Sequence, residues 1–500
     1  MTLRSDLASE SGSGLVGYQP ASTYAVATTV QSKLREMVSV KDFGAVGDGV
    51  TDDTGAIQDA FDSLSSGQTL NFGSGNVYLL SGTVTLDSKT NVKLTGESEL
   101  RMVSGWVTVG DPNPQIPAPP NNRTIQIKSC NGVTVDGLVL NGNMTNKPSH
   151  IYNGYGINAA ESFDVRYENL TVKNFGGEGL TGEGTQRLWI TNCRTENVNH
   201  AVNVFGGCQQ VFISNNYLQH NSFAVFVEGA VGVTINGNIC SQTAVYTSQP
   251  RAGIVLKNTA GLGDLDHIVI SNNIIRTNKL DDANTIWCNG GSGGGTKFGN
   301  VVISNNELHS PFKWGIKAEG VYGLITATGN QIHDAGRDGS YGDSGGILGI
   351  TAATGNYISC AAGAANASAL RNVVIAANNY TTGFFNEKYI NDRTVVGVAQ
   401  LTGNYPLNTS VFFKNYDNTN PSVLGKQTVV TRDDDNGIIY GFADGVDGQI
   451  VTLIPRKTYT VYHNSGSATQ KIYTLSGSNL TLTVWTSARF YFNGTNWRQI

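Results

Sequence analysis

Charge is scarce in this chain. Asp, Glu, Lys and Arg make up 14% of its 500 residues, and the formal net charge is −5. No cluster of Lys or Arg stands out, so the electrostatic footprint of a nucleic-acid-binding protein is missing. The six cysteines (Cys130, Cys193, Cys208, Cys240, Cys288 and Cys360) are scattered with no CxxC pair, and no EF-hand or P-loop pattern occurs. No metal or other cofactor is therefore expected. Most of these cysteines fall at strand positions, where a buried, reduced thiol is the expected state. No apolar run is long enough to span a bilayer, and the opening MTLRSDLASESGSG lacks the apolar core of a signal peptide. The expectation is a soluble chain, made in a reducing cytoplasm, that does not insert into membranes.

What the chain has in quantity is glycine, 61 residues, and a recurring asparagine. Segments such as VFISNNYL (211–218), VTINGNIC (233–240), IVISNNII (268–275) and VVISNNEL (301–308) alternate in character, are rich in β-branched residues and carry Asn-Asn or Gly-Asn at one place. The second residue of that pair is Asn216, Asn238, Asn273, Asn306, Asn330, Asn356 and Asn379. Intervals of 22 to 35 residues between these positions mark a solenoid, whose coils share one core because none can bury its own apolar face. Asn and Gly suit a turn with positive φ, and stacked Asn side chains can pass amide hydrogen bonds between coils. The apolar residues lack the three- and four-residue spacing of a helical solenoid. The predicted fold is all-β, a single-stranded right-handed parallel β-helix. VTVDGLVL (133–140), FDVRYENL (163–170) and LWITNCRT (188–195) fit the same register more loosely.

Residues 1–38 form a separate N-terminal region, with a short helix expected within 25–40 that places Val30, Leu34 and Met37 on one side. In VKDFGAVGDGVTDDTGAIQDAFDSL (40–64), Thr51 or Asp52 can cap a helix whose stripe is Ile57, Ala60, Phe61 and Leu64. Such a helix would cover the open end of the solenoid. The run DFGAVGDGVTDDTGAIQDAF resembles the opening motif of the pectate-lyase-like superfamily of right-handed β-helices. Joined to GLVGYQPAS and AVATTVQSKLREMVSVKDFG before it, it resembles bacteriophage tailspikes. That resemblance covers roughly 15–390. It implies a virion tail protein made in the host bacterium, attached through its N-terminus to a tail, baseplate or adaptor protein, that binds and depolymerises a surface polysaccharide, capsule or O-antigen. The β-helix is assigned to 39–390 and a transition to 391–436. In 437–500, short alternating strands end in GTNWRQI, which resembles C-terminal β-domains of tail fibres and tailspikes. The resemblance implies that this domain trimerises the chain or binds glycan.

In such solenoids the strand before each Asn-bearing strand forms the groove face. Its segments here are EGLTGEG (178–184), HAVNVFG (200–206), FAVFVEG (223–229), AGIVLKN (252–258), NTIWCNG (284–290) and KWGIKAEG (313–320), and insertions concentrate around them. Glu183, Glu228 and Glu319 each precede Gly in one register. Glu183 and Glu228 are two coils apart, about 10 Å at the usual strand spacing, against the 6.5–9.5 Å or so that an inverting glycosidase keeps between its carboxyls. They are the candidate acid and base. Glu178 and His200, before neighbouring groove strands, are candidate assistants, with His220 a weaker one. Related polygalacturonases carry acids and a His in comparable places, but their NTD, GHG and RIK motifs are absent here, and Asp281-Asp282 matches their acidic pair only superficially. Arg251, Lys257 and Lys317 could hold an anionic sugar, and Trp287 and Trp314 could stack on a pyranose. A lyase would instead need a uronate, a base such as His200 or Tyr155, and a cation such as Arg251 or Lys257. A spike that binds glycan without cutting it is the alternative from another class.

Overall fold

The computed structural model describes the chain except residues 1–2, 10, 105–122, 145–153, 244–251, 260, 278–283, 291–297, 321–322, 337–343, 362–366, 372, 383–389, 392–399, 403–409, 414–419, 421–422, 424–427, 432–436, 456 and 485. It falls into two units. One comprises Met1–Asn278, Trp287–Val301 and Gly320–Gly323, and the other Lys279–Ile286, Val302–Glu319 and Leu324–Ile500.

In the first unit, successive coils pair in parallel and in register. Leu180, Val202, Val225 and Ile254 occupy one level of four consecutive coils, and all are fully buried. The Asn column runs inside this core. Asn216 donates from Nδ2 to Asn238 Oδ1 at 2.9 Å, and Asn238 does the same to Asn273 at 2.9 Å. Each Nδ2 also donates to a carbonyl one coil back, Ile190 O and Ile213 O respectively. The residue before each Asn takes the left-handed turn, with φ of 58° at Asn215, 67° at Gly237 and 56° at Asn272. Asn and Gly tolerate that conformation best. One coil earlier the column position is Cys193, whose N–H donates to Asn216 Oδ1 at 2.8 Å. The looser coils thus keep the register while changing the residue.

A second Asn column, not foreseen from the sequence, precedes the groove strands. Asn174 donates to Asn141 at 3.1 Å and Asn197 to Asn174 at 3.0 Å, while Asn221 reaches Asn197 at 3.5 Å.

The open end is covered as expected. The helix Thr54–Ser63 buries Ile57, Ala60 and Phe61. Its Gln58 amide mimics a strand, accepting from Thr85 N at 2.8 Å and donating to Thr85 O at 2.9 Å. The edge of Val84–Asp87 is thereby satisfied, which an uncovered parallel edge would not be. Asp53 holds the N-cap position without a side-chain cap bond, and the Asp52 carboxylate accepts from Thr54 N at 3.0 Å. The buried Asp53 carboxylate holds Val46 N and Gly47 N, Asp52 accepts from Thr54 and Ser81, and Asp48 from Val50 and Thr51. The acids of the opening motif therefore close loops. The preceding helix is only Val30–Leu34, with Leu34 exposed, and Met37 lies on a strand.

In the second unit the inner column resumes as Asn306, Asn330, Asn356 and Asn379, linked at 2.9, 3.0 and 2.8 Å. Parallel pairing extends past residue 390, because Gln400–Thr402 pairs with Ile375–Ala377. Beyond it, a six-stranded and a three-stranded sheet enclose a core of Val429, Ile439, Phe442, Val451, Leu453, Val461, Phe490 and Trp497. Trp497 is fully buried at 5.3 Å from Phe442 and 4.9 Å from Phe492, ring to ring. Trp497→Ala should destabilise this domain by about 3–5 kcal/mol. Limited proteolysis that degrades the C-terminal part first and leaves a resistant β-helix fragment is the expected readout.

Candidate functional site

The groove face of the first unit is built by Thr171–Glu183, Arg194–Ser214, Tyr217–Asn236 and Ala252–Lys257. Side chains alternate along each strand, which turns Glu183, Phe205, Glu228 and Lys257 outward, whereas Glu178, His200 and Phe223 share the parity of the core residues and sit at the starts of the groove segments, next to shifts in pairing register. Register then fixes the neighbours. Glu178 faces His200, His200 faces Phe223, and Phe223 faces Ala252. Five residues on, Glu183, Phe205, Glu228 and Lys257 form a second row.

Glu183 and Glu228 are thus two coils apart, with Phe205 between them, as the sequence spacing predicts. Their side chains diverge. Glu183 accepts from Asn158 Nδ2 at 3.3 Å and faces Arg123 at 3.8 Å. Both partners lie on coils N-terminal to its own, away from Glu228. Glu178 lies in the first row. Asn203 Nδ2 donates to Glu178 Oε1 at 2.6 Å, and His200 Nδ1 lies 3.6 Å from the same oxygen.

Glu228 is 5% exposed and stands out electrostatically. Burial pushes its carboxyl above the ordinary glutamate range, and the negative charge of Glu178 adds to that. The Thr259 hydroxyl, donating at 2.5 Å, the Lys257 ammonium at 3.9 Å and His200 oppose it. A glutamate held above its ordinary range by desolvation, within the field of a second carboxylate, is a candidate proton donor.

The floor beside Glu228 is aromatic. Phe223 and Phe226 lie 5.1 Å apart, His200 stacks on Phe223 at 4.8 Å, and Trp287 packs against the cluster of Phe223, Phe226, Ala252 and Val255. Lys257 sits over Phe226 at 6.0 Å. Toward the other end the same row is polar. Asn158 donates to Gln126 Oε1 at 3.3 Å, and Thr181 donates to Asn158 Oδ1 at 2.9 Å.

Several sequence candidates fare differently. Trp314 is 1% exposed and belongs to the interior, so its faces are not presented for stacking. Lys317 and Glu319 pair with each other at 2.8 Å in the second unit. His220 is fully buried, and burial, with His200 nearby, depresses its imidazole to about 3, so it stays neutral. Tyr155 has its phenol pushed up by burial and by Glu178, which makes it a poor base. Arg251, Asp281 and Asp282 lie outside the described residues. Asn203, Phe223, Phe226, Arg123 and Thr259 were missed. The only sequence signal for the aromatics was their alternation with Ala224, Val225 and Val227 in FAVFVEG, which also fits a core strand. Among the described residues no group of His, Cys, Asp and Glu is arranged to hold a metal, and no helix is long and apolar enough to cross a membrane.

Comparison with known proteins bears on the fold. The family described as "Rhamnogalacturonase A/epimerase, pectate lyase-like" matches residues 37–108, and the "Right handed beta helix region" family matches 123–300. Mannuronan C5-epimerase AlgE1 of Azotobacter vinelandii is 31% identical over 167 residues, 28% of this chain and 10% of its own length. The tail spike protein of Shigella phage Sf6 is 27% identical over 280 residues, 51% of this chain and 41% of its own. The chain thus spans less than half the length of these curated relatives. The solved tailspike of E. coli bacteriophage HK620, in complex with a pentasaccharide, superposes with a TM-score of 0.58 at 14% identity, over 93% of this chain and 88% of that one. The parallel register, the buried Asn columns and these matches agree: the chain is a right-handed parallel β-helix protein, similar over residues 37–108 to the pectate-lyase-like family.

Proposed function

We propose that the protein is a bacteriophage tailspike that binds a bacterial surface polysaccharide in the groove of the first unit and cuts it by hydrolysis. The observation that carries the reading is Glu228, a buried glutamate next to an aromatic floor, whose carboxyl is pushed above the ordinary range by burial and by the charge of Glu178. Glu228 delivers its proton to the glycosidic oxygen as the C–O bond breaks. Glu178, oriented by Asn203 and His200, takes a proton from the water that attacks the anomeric carbon. Both carboxyls exchange their protons with solvent before the next cycle. Phe223, Phe226 and Trp287 present apolar surface to the sugar rings. Attachment of the N-terminal region to a tail or adaptor protein, and trimerisation through the C-terminal sheets, belong to the same proposal.

The decisive experiment is incubation with purified host surface polysaccharide, followed by mass spectrometry and ultraviolet absorbance. Fragments that have gained water and carry no unsaturated uronate are expected. Unsaturated products would mean β-elimination and overturn the acid–base assignment, and an intact, bound polymer would mean an adhesive spike.

A pH prediction follows from Lys257. A general acid works while protonated, so activity falls as pH rises through the pKa of Glu228. The Lys257 cation lowers that pKa. Lys257→Met should therefore raise it and displace the alkaline limb of the kcat profile to higher pH. A limb that moves the other way would remove Glu228 from the acid role.

A further inference from the structure

We infer that the sugar unit seated against Glu228 is uncharged, a pyranose without a uronate carboxylate. The inference rests on the groove reading above and narrows its substrate. Three carboxyls, those of Glu178, Glu183 and Glu228, belong to the strands of this face. The described basic groups that meet them are already opposed, Arg123 to Glu183 at 3.8 Å, Lys257 to Glu228 at 3.9 Å and the His200 imidazole to Glu178 at 3.6 Å. A substrate carboxylate would therefore add negative charge where no basic group among these is unopposed. It would also do so where water is largely excluded, since Glu228 and His200 are both below 10% exposed, and like charges repel most strongly there.

The surface next to Glu228 has the complementary character. Phe223, Phe226, Val255 and Trp287 offer aromatic and aliphatic area, and Lys257 sits at its edge over Phe226. The polar half of the floor is made of neutral groups, Gln126, Asn158, Thr181 and Asn203. Asn203 Oδ1 is buried and has no hydrogen-bond partner among the described residues. An amide oxygen in that state accepts from a hydroxyl or an acetamido N–H and repels a carboxylate. One face of the groove thus reads hydroxyls and the other reads the apolar face of a ring, and neither is built for an acid. β-Elimination, which begins by removing a proton beside a uronate carboxylate, has no substrate at such a place.

The test uses the full-length Glu228→Gln protein, so that binding is measured without turnover. The probes are purified bacterial surface polysaccharides, neutral and uronate-bearing, each uronate polymer presented both native and after chemical reduction of its carboxyls to alcohols. The expected ligands are neutral polymers or reduced ones, bound at least about tenfold more tightly than the native acids, a gap of about 1.4 kcal/mol. Their affinity should change by less than about threefold between about 50 and about 500 mM salt, because no ion pair with the ligand is screened. A native uronate polymer bound about tenfold more tightly than its reduced form, with affinity falling as salt rises, overturns the inference. Wild-type protein that binds a neutral polymer and leaves it intact supports the neutral site while overturning hydrolysis, so the two readings fail separately.

Discussion

Glu228→Gln should reduce polysaccharide cleavage by about 10²–10⁴-fold, the range expected when a positioned proton donor is removed, and leave binding nearly unchanged. Gln keeps the shape and the acceptor for the Thr259 hydroxyl, but cannot release a proton to the leaving oxygen. Stability should not fall. A carboxyl whose pKa is raised by folding destabilises the native state once pH climbs through that pKa, and the amide removes this penalty. At neutral pH the variant should melt at the same temperature as the parent or higher. The companion substitutions separate the two candidate bases. Glu178→Gln should lose activity on a similar scale, whereas Glu183→Gln, whose carboxylate leans toward Arg123 and Asn158, should retain most of it. Full loss in Glu183→Gln with an active Glu178→Gln would restore the spacing-based pair.

The second large effect concerns the inner Asn column. Asn238 is fully buried and its side chain makes five hydrogen bonds, accepting from Asn216 N and Nδ2 and donating to Asn273 Oδ1, Ile213 O and Asn236 O. Asn238→Ala removes all of them and strands polar groups on three successive coils. Orphaned buried groups cost about 1–3 kcal/mol each. Because such costs are not additive, about 3–5 kcal/mol is expected in total. The check is the shift of the melting transition at a fixed heating rate, with Asn236→Ala as the control. Asn236 is half-buried and its Nδ2 meets only Ser271, at 2.8 Å, so that change should cost less than about 1 kcal/mol. Equal effects from the two would mean that the column is not a principal source of stability.

The fold was legible because its two determinants are one-dimensional. Alternation in VFISNNYL fixes which side chains enter the core, and the recurring Asn fixes where each coil turns. Both survive without knowledge of any partner strand. The register of Glu183 and Glu228 was legible for the same reason, since counting residues places Cα atoms on a coil. Counting cannot say where a glutamate's three bonds carry its carboxylate. Arg123, two coils back and across a long stretch outside the described residues, turns Glu183 away, and Asn203 draws in Glu178. The second Asn column escaped notice because Asn141, Asn174, Asn197 and Asn221 share no common flanking pair. Trp314 and Trp287 look alike in sequence, each next to or near Ile on a groove strand, yet one faces the core and the other the aromatic floor. A slip of one residue in register is enough to exchange those faces.

The free thiols have a practical consequence. Cys193, Cys208, Cys240 and Cys288 are buried with pKa values pushed up to about 12 by desolvation, Cys130 is buried as well, and Cys360 is half-covered. An alkylating reagent meets such a sulfur only when its own coil opens. The chain therefore carries reporters at intervals along the solenoid, and the order in which they are labelled under mild denaturant would show whether the structure frays from an end or parts in the middle.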